Sequence, residues 1–572
     1  MLYFVNLRFD KIQDGLIIIR KFNRRKKMIN RFIPEGVSDL GYTEFENKKA
    51  VEDALAESFR KDGYRQVMTP TFEYFDLFSD DTIASGTEEM YKIVDKNGQL
   101  MVLRPDATIP IARMAAGYCR EGESLKLMYI TNVYRTADFK KGEKREFKQA
   151  GIEYFGSADT STDAGVIRTA IAALKGIVGD DLKAEIGNAG YFNGFIEAVK
   201  NSGSYSDSDL YFSKEDELKV RELVESKNIP GLTEFADKHE LDADMRKVLL
   251  AMPMLFGDSE ETIAKAESLA LNDSMKKACE DVRKICAILK EESIYVDMGL
   301  VSMLEYYSGV IFKLYLKTSG MIVGSGGRYD KLMKKFGANI PAVGVGINVD
   351  TLAEARENAA ASKDSDDILT IALGKGRLAD ITFKKFEEAG ITFPEYTKES
   401  RKLIFEDSTG RFRIIFVKAV DVGIYVEKGA CDVGVIGKDT LMESGSDVFE
   451  MMDLGYGKCM FAVAAPHGYR YDFSRKLRVA SKYPKVAKEH FARIGKSIEI
   501  TKINGSVELA PIVGLSDVIV DIVETGNTLR ENGLEVVEKV ADISARFIVN
   551  RASLKTRQKR VLEIMSALEN QF

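Results

Sequence analysis

The stretch ELAPIVGLSDVIVDIVETGNTL, from Glu508 to Leu529, decides how the C-terminal third of the chain is read. Asp517 to Val523 is a short β-branched run with acids at Asp517 and Asp521, which predicts a buried strand. It breaks into Glu524-Thr525-Gly526-Asn527-Thr528, a tight turn of small hydrogen-bonding residues. Gly526 lets the backbone approach a ligand or take positive φ. Successive N–H groups and two threonine hydroxyls can then wrap a phosphate. Asp521 and Glu524 are acceptors, suited to ribose hydroxyls or to a magnesium ion on the same ligand. By itself such a turn is more often an ordinary βα loop.

Outward from this stretch, strands and helices alternate from Ile368 to the end. Strand candidates are Ile368–Leu373, Phe412–Lys418, Cys431–Ile436, Cys459–Ala464, Leu477–Ala480, Ile498–Ile503, Val518–Val523 and Ala545–Val549. The helical stretches Asp380–Ala389, Ala419–Lys428 and Pro484–Ile494 separate them. The pattern predicts an α/β unit with mostly parallel strands. Its first strand runs into Gly374-Lys375-Gly376-Arg377-Leu378, two cations on a glycine turn. That suits a diphosphate or triphosphate, and reads as readily as a helix-start loop with solvated charges.

Glu508, Gly514, Ser516, Ile519, Asp521, Thr525, Gly526, Thr528 and Leu529, at these spacings, resemble the phosphoribosyl-pyrophosphate (PRPP) signature of the ATP phosphoribosyltransferase family. The resemblance covers 367–572. It takes in the turn at Lys375 and Arg377, two further cations at Arg401 and Lys418 (usually Arg there), and the blocks Ala430–Asp439 and Asp453–Cys459. It implies a two-lobed α/β catalytic domain, like periplasmic binding proteins, with the active site in the cleft. It also implies the first reaction of histidine biosynthesis, in which N1 of the adenine of ATP displaces pyrophosphate from C1 of PRPP with Mg²⁺. On that resemblance Lys375, Arg377, Arg401 and Lys418 are the catalytic cations facing phosphates. Asp521, Glu524, Thr525, Gly526, Asn527 and Thr528 hold PRPP, and Glu508 supports the loop. The Mg²⁺ arrives with the substrate, and its protein ligands are left open.

Composition bounds the rest. At 572 residues the chain holds several domains. Lys+Arg 82 against Asp+Glu 88 gives −6, which offers no general attraction for nucleic acid or anionic lipid. Five cysteines without CxxC spacing read as reduced thiols of a cytoplasmic protein. Three scattered histidines disfavour a histidine-based metal site or triad. No apolar run approaches the length of a membrane span. Residues 1–27 fit none of this. They read as a disordered extension or a start codon placed too early, with Met28 as the true start, and less as a nucleic-acid-binding arm.

Residues 28–357 carry antiparallel signals. Glu44–Asp62 has helical spacing, Leu100–Leu103 runs into Arg104-Pro105-Asp106-Ala107-Thr108, and Leu125–Tyr134 and Phe147–Phe155 flank a polar hairpin loop. Together with Tyr306-Tyr307-Ser308-Gly309 and Gly326-Gly327-Arg328-Tyr329-Asp330, these resemble the class II aminoacyl-tRNA-synthetase core of histidyl-tRNA synthetase. They are more closely similar to its non-synthetase relative, the regulatory subunit of short-form ATP phosphoribosyltransferase. Ala137, Glu143, Ser302 and Thr351 stand where the synthetase keeps an acid or ATP-binding and histidine-segment arginines, so the resemblance implies a domain without adenylating activity. Asp106, Thr108, Arg135, Gln149, Glu153, Tyr307 and Tyr329 match the histidine pocket. Histidine is then the implied feedback inhibitor, bound there or at the contact between the two kinds of domain.

Residues 203–293 read as a helical insertion with a solvated charged face, containing one long helix over Ser259–Lys290. Residues 358–366 read as a polar linker. The whole is an α/β and α+β multidomain chain, expected to be a homo-oligomer through both domains. The alternative is a histidyl-tRNA synthetase with a fused accessory domain.

Overall fold

The computed structural model describes residues 33–79, 89–120, 122–136, 144–202, 212–290, 292, 294–302, 306–361, 368–397, 400–471 and 475–569. The readings placed on the 1–27 extension, on Ala137 and Glu143, on the start of the insertion and on most of the linker lie outside the described residues.

The N-terminal part is built on a nine-stranded sheet. Its order is Arg65–Gln66, Leu125–Tyr134, Glu146–Phe155, Ala342–Asn348, Ile322–Arg328, Val310–Leu316, Leu182–Asn188, Ile294–Asp297 and Phe256–Gly257. Six of the eight pairings are antiparallel. The hairpin read from the sequence is present in full, with Leu125 opposite Phe155 and Tyr134 opposite Glu146. Helices Tyr42–Lys61 and Thr160–Val178 pack together over one face. The second starts at Asp159, whose carboxylate accepts from Ser161 N at 3.0 Å, an N-cap that satisfies an otherwise unpaired donor. Phe59, Ile167, Phe192 and Phe312 are buried in the same core.

The insertion is helical, in five segments: Lys214–Glu225, Ile229–Lys238, Ala243–Ala251, Ser259–Ser268 and Asp273–Ile288. The long helix expected over Ser259–Lys290 is broken in two. Asn272 is the reason: its side chain accepts from Met275 N at 3.0 Å and donates to Gly194 O at 2.7 Å, starting a new helix.

The C-terminal part has two lobes. The first holds a six-stranded sheet in the order Ile404–Glu406, Phe412–Val417, Leu369–Gly374, Val433–Gly437, Ala545–Val549, Phe449–Asp453. The second holds five strands in the order Ile498–Lys502, Leu477–Ser481, Val518–Val523, Cys459–Pro466, Leu534–Ile543. All eight expected strands exist. The expectation of mostly parallel strands does not hold, since parallel pairings are only two of five in the first lobe and two of four in the second. Three strands absent from the sequence reading account for this: Ile404–Glu406, Phe449–Asp453 and Leu534–Ile543 all join antiparallel. The chain crosses between lobes at 454–458 and at Ser544. These crossings are tied together by Leu454 N to Ala545 O at 2.9 Å and Ser544 Oγ to Asp453 Oδ1 at 2.7 Å.

Candidate functional site

In an open sheet with parallel strands, ligands bind beyond the carboxyl ends of those strands. In the first lobe Gly374 and Val417 are register partners, so Lys375 and Lys418 leave adjacent strands at the same level. Both are exposed. Lys375 Nζ reaches Ser400 O at 3.5 Å, which brings the Arg401 segment to the same edge. The four cations singled out from the sequence therefore gather at one end of this sheet. A cavity of about 150 Å³ opens beside them, lined by Gly374, Lys375, Arg377, Ala419 and Ile436.

In the second lobe Val518–Val523 ends at the turn from Glu524 to Thr528. Gly526 has φ +72° and ψ 3°, the left-handed conformation that glycine adopts without cost. Thr525, Asn527 and Thr528 are exposed. Asp521 is half-buried. Burial raises its carboxyl above the usual range, the Ile522 N–H at 2.8 Å lowers it, and Glu508 nearby raises it again. Lys482 follows Leu477–Ser481, the parallel neighbour of Val518–Val523, and its charge acts on Asp521. Sequence spacing gave no hint of it.

The two edges face each other. Arg377 Nη1 lies 2.8 Å from Glu524 Oε1, so the Gly374–Leu378 turn of one lobe touches the Glu524–Thr528 turn of the other across the cleft. Tyr483 Oη donates to Asp439 Oδ2 at 3.0 Å, and the Glu443 carboxylate accepts from Lys485 N and Val486 N at 3.0 and 3.2 Å, bridging the lobes elsewhere. The Cys459 thiol in this region is pushed up to about 11 by burial, so it is no thiolate nucleophile near neutral pH. Two acids of these segments, Asp432 of the Ala430–Asp439 block and Asp517 just before the Val518–Val523 strand, are held in structural pairings. Asp432 accepts from Thr370 N, Thr370 Oγ1 and Ser553 Oγ and pairs with Arg557. Asp517 pairs with Arg475 and Arg478.

The N-terminal part holds a second cluster. Glu153 is fully buried, taking hydrogen bonds from Tyr329 Oη at 2.6 Å and Thr108 Oγ1 at 2.7 Å. Burial pushes its carboxyl up to about 8, and Asp106, also raised by burial, adds to the effect. Glycines on the neighbouring strand make the space: a Cβ on Gly344 would stand 1.6 Å from Glu153 Oε2, and one on Gly346 2.4 Å from Gln149 Nε2. Gln149 Oε1 is buried without a partner among the described residues. Tyr307 is held above the ordinary tyrosine range by burial and by Asp106. Arg135 donates to Pro105 O at 3.0 Å, lies over Phe147, and its charge acts on Asp106. Ser302 and Thr351 bring no positive charge, and Thr351 N is used by Asn348 Oδ1 at 3.1 Å.

The family model for histidyl-tRNA synthetase matches residues 36–352, and that for ATP phosphoribosyltransferase matches 418–570. The C-terminal part is similar to the ATP phosphoribosyltransferase of Oceanobacillus iheyensis, 52% identical over 200 residues, 35% of this chain and 96% of that one. The N-terminal part is similar to the ATP phosphoribosyltransferase regulatory subunit of Alkaliphilus metalliredigens, 35% identical over 329 residues, 57% of this chain and 80% of that one. Among solved structures, an ATP phosphoribosyltransferase regulatory subunit/histidyl-tRNA synthetase from Bacillus halodurans aligns with TM-score 0.51 and 26% identity, over 68% of this chain and 94% of that chain.

Proposed function

We infer that this chain, which belongs to the ATP phosphoribosyltransferase family over its C-terminal third and to the histidyl-tRNA-synthetase-like family of that enzyme's regulatory subunits over residues 36–352, joins ATP to PRPP in the interlobe cleft and is inhibited by histidine through its N-terminal part. The observation that carries the catalytic reading is the 2.8 Å contact of Arg377 with Glu524, which sets a cationic turn against an anion-accepting loop.

The nucleophile, N1 of adenine, is neutral and already competent, so the chemistry requires no general base. The work is to hold two polyanions together and to steady a departing pyrophosphate. Positioning alone can supply roughly 7–11 kcal/mol of barrier lowering. In this reading the N–H groups and hydroxyls of Thr525 to Thr528 take the 5′-phosphate, and Asp521 and Glu524 take the ribose hydroxyls. Lys375, Arg377, Arg401 and Lys418 face the phosphates of ATP and the leaving pyrophosphate. Among the described residues no group of three or more His, Cys, Asp or Glu stands ready to hold a metal. The donor set of Asp521 and Glu524 fits a Mg²⁺ ion carried by substrate phosphates. When bound there, Mg²⁺ supplies charge neutralisation to the leaving group.

The histidine reading rests on the buried Glu153, the raised Asp106 and the unpartnered Gln149 Oε1, which together suit a cationic amino acid. The division into a regulatory part, 28–357, and a catalytic part, 367–572, belongs to the same reading. So does a homo-oligomer, which the exposed Tyr42, Phe45 and Met68 support. Five free cysteines support a cytoplasmic location, and among the described residues no helix is long and apolar enough to cross a membrane. Incubation with ATP, Mg²⁺ and PRPP should yield N1-(5-phosphoribosyl)-ATP, in smaller amount when histidine is added. No product would defeat the catalytic reading; product insensitive to histidine would defeat the regulatory one.

A further inference from the structure

Between the two parts of the chain lie four buried charges from three separate segments. Lys555, just after the last strand of the first catalytic lobe, has its Nζ 2.5 Å from Glu185 Oε1 and 2.5 Å from Asp297 Oδ2. Lys227, from the helical insertion, has its Nζ 2.9 Å from the same Asp297 Oδ2. Glu185 and Asp297 belong to adjacent strands of the nine-stranded sheet. All four residues are at most 4% exposed.

Three hydrogen bonds add to these ion pairs. Tyr315 Oη donates to Glu185 Oε2 at 2.8 Å, Lys227 Nζ to Pro253 O at 2.8 Å, and Gly299 N to Asp297 Oδ1 at 2.9 Å. Phe256 lies under both ammonium groups, 4.4 Å from Lys555 Nζ and 4.7 Å from Lys227 Nζ. Lys183, on the same strand as Glu185, and Lys313, on the neighbouring strand Val310–Leu316, are held below the ordinary lysine range, chiefly by burial.

Apolar packing runs through the same place. Phe256 and Tyr295 of the regulatory sheet belong to one hydrophobic cluster with Leu369, Phe412, Phe547 and Leu568 of the first lobe. Tyr295 Oη also donates to Gln558 Oε1. At the turn after Val310–Leu316, a Cβ on Gly320 would fall 2.0 Å from Ala552 Cβ, so only glycine lets the two parts close this tightly. The core of the first lobe is therefore completed by the regulatory sheet, and the charges at its margin balance only when all three segments are in place.

We propose that the buried Lys555–Glu185–Asp297–Lys227 cluster is a docking surface that joins the regulatory sheet, its insertion and the first catalytic lobe of the same chain into one cooperative unit, rather than leaving two modules tethered by a linker. A buried charge stripped of its partner is far more costly than an exchange that keeps the balance. Coupling of this kind needs a common element that both parts bias, and the cluster is that element.

The test is calorimetry of the full chain. The wild type should unfold in one transition. Lys555→Met leaves two carboxylates against one ammonium, and should separate a catalytic-part transition at lower temperature. Lys555→Met with Glu185→Gln restores the balance while keeping an acceptor for Tyr315, and should return a single transition. Two transitions in the wild type, an unsplit transition in Lys555→Met, or no recovery in the double variant would overturn the proposal. Hydrogen exchange on the wild type asks the same without a variant. Amides of Ala545–Val549 and Leu182–Asn188 should open with equal free energy, and weaker protection of the catalytic strand would contradict the proposal.

Discussion

Glu153→Gln is expected to change the pH dependence of stability in a calculable way. The wild-type carboxyl is held at about 8, against 4.5 for an ordinary glutamate, mainly because burial penalises its charge. A group whose folded value is raised contributes stability that is complete below the unfolded value and is lost as pH climbs through the folded one. The window here runs from pH 4.5 to about 8. At about 1.4 kcal/mol per pH unit the loss across it is about 5 kcal/mol. With an unfolding entropy of about 2.1 cal/mol/K per residue over 572 residues, that is about 4 °C in Tm. Glutamine keeps the shape, its carbonyl oxygen accepting from one of the Tyr329 and Thr108 hydroxyls and its amide N–H donating to the other hydroxyl oxygen, but it does not ionise. Calorimetric Tm measured from pH 4.5 to 8.5 should therefore show the wild type losing about 4 °C relative to Glu153→Gln. Asp106 titrates in both proteins and largely cancels. Parallel curves would mean that Glu153 is already ionised in the folded protein, and the reasoning from burial would fail.

Other outcomes follow from the same geometry. If histidine occupies this pocket, its ammonium draws a proton off Glu153, so titration calorimetry near pH 7 should give a binding heat that depends on the buffer's ionisation enthalpy; buffer-independent heat would speak against the pocket. Arg377→Ala should lower kcat/KM roughly 10- to 100-fold through a lost charge-assisted phosphate contact, with Tm almost unchanged because the Glu524 pair is exposed. In Gly526→Ala the Cβ meets only ordinary contacts, 3.9 Å from Arg530 Nη1 and 3.9 Å from Val523 Cγ1; the left-handed backbone alone should cost about 1–2 kcal/mol, read as a higher KM for PRPP. Asp432→Ala, which strips an acceptor from Thr370, Ser553 and Arg557, should cost about 3 kcal/mol of stability, visible in denaturant titration.

The sequence was most legible where local pattern and burial coincide. Two β-rich runs, Leu125–Tyr134 and Phe147–Phe155, around a polar loop let the hairpin be foreseen, while its register comes from the structure alone. The strand Leu534–Ile543 was not, because LEVVEKVADI lies at a sheet edge where charged residues face solvent and blur the alternation. Asn272 divided a helix whose charge pattern ran through it without a break. In the site, the residue types at Lys375, Arg377 and Glu524–Thr528 carried the chemistry, but the meeting of Arg377 with Glu524 spans 147 positions and two lobes. Lys482 and the buried charges around Lys555 were invisible for the same reason: each lies in an unremarkable local sequence and is made significant by its neighbours in space.

The central claim is that the loop from Glu524 to Thr528 grips a sugar phosphate whose anomeric carbon faces the cations of the opposite lobe. A crystal structure of the full chain with PRPP tests it most directly. The 5′-phosphate should lie within hydrogen-bond reach of the N–H groups of residues 525–528, with the diphosphate turned toward Lys375 and Arg377. PRPP seated away from this turn, with Thr525 and Thr528 untouched, would contradict the account.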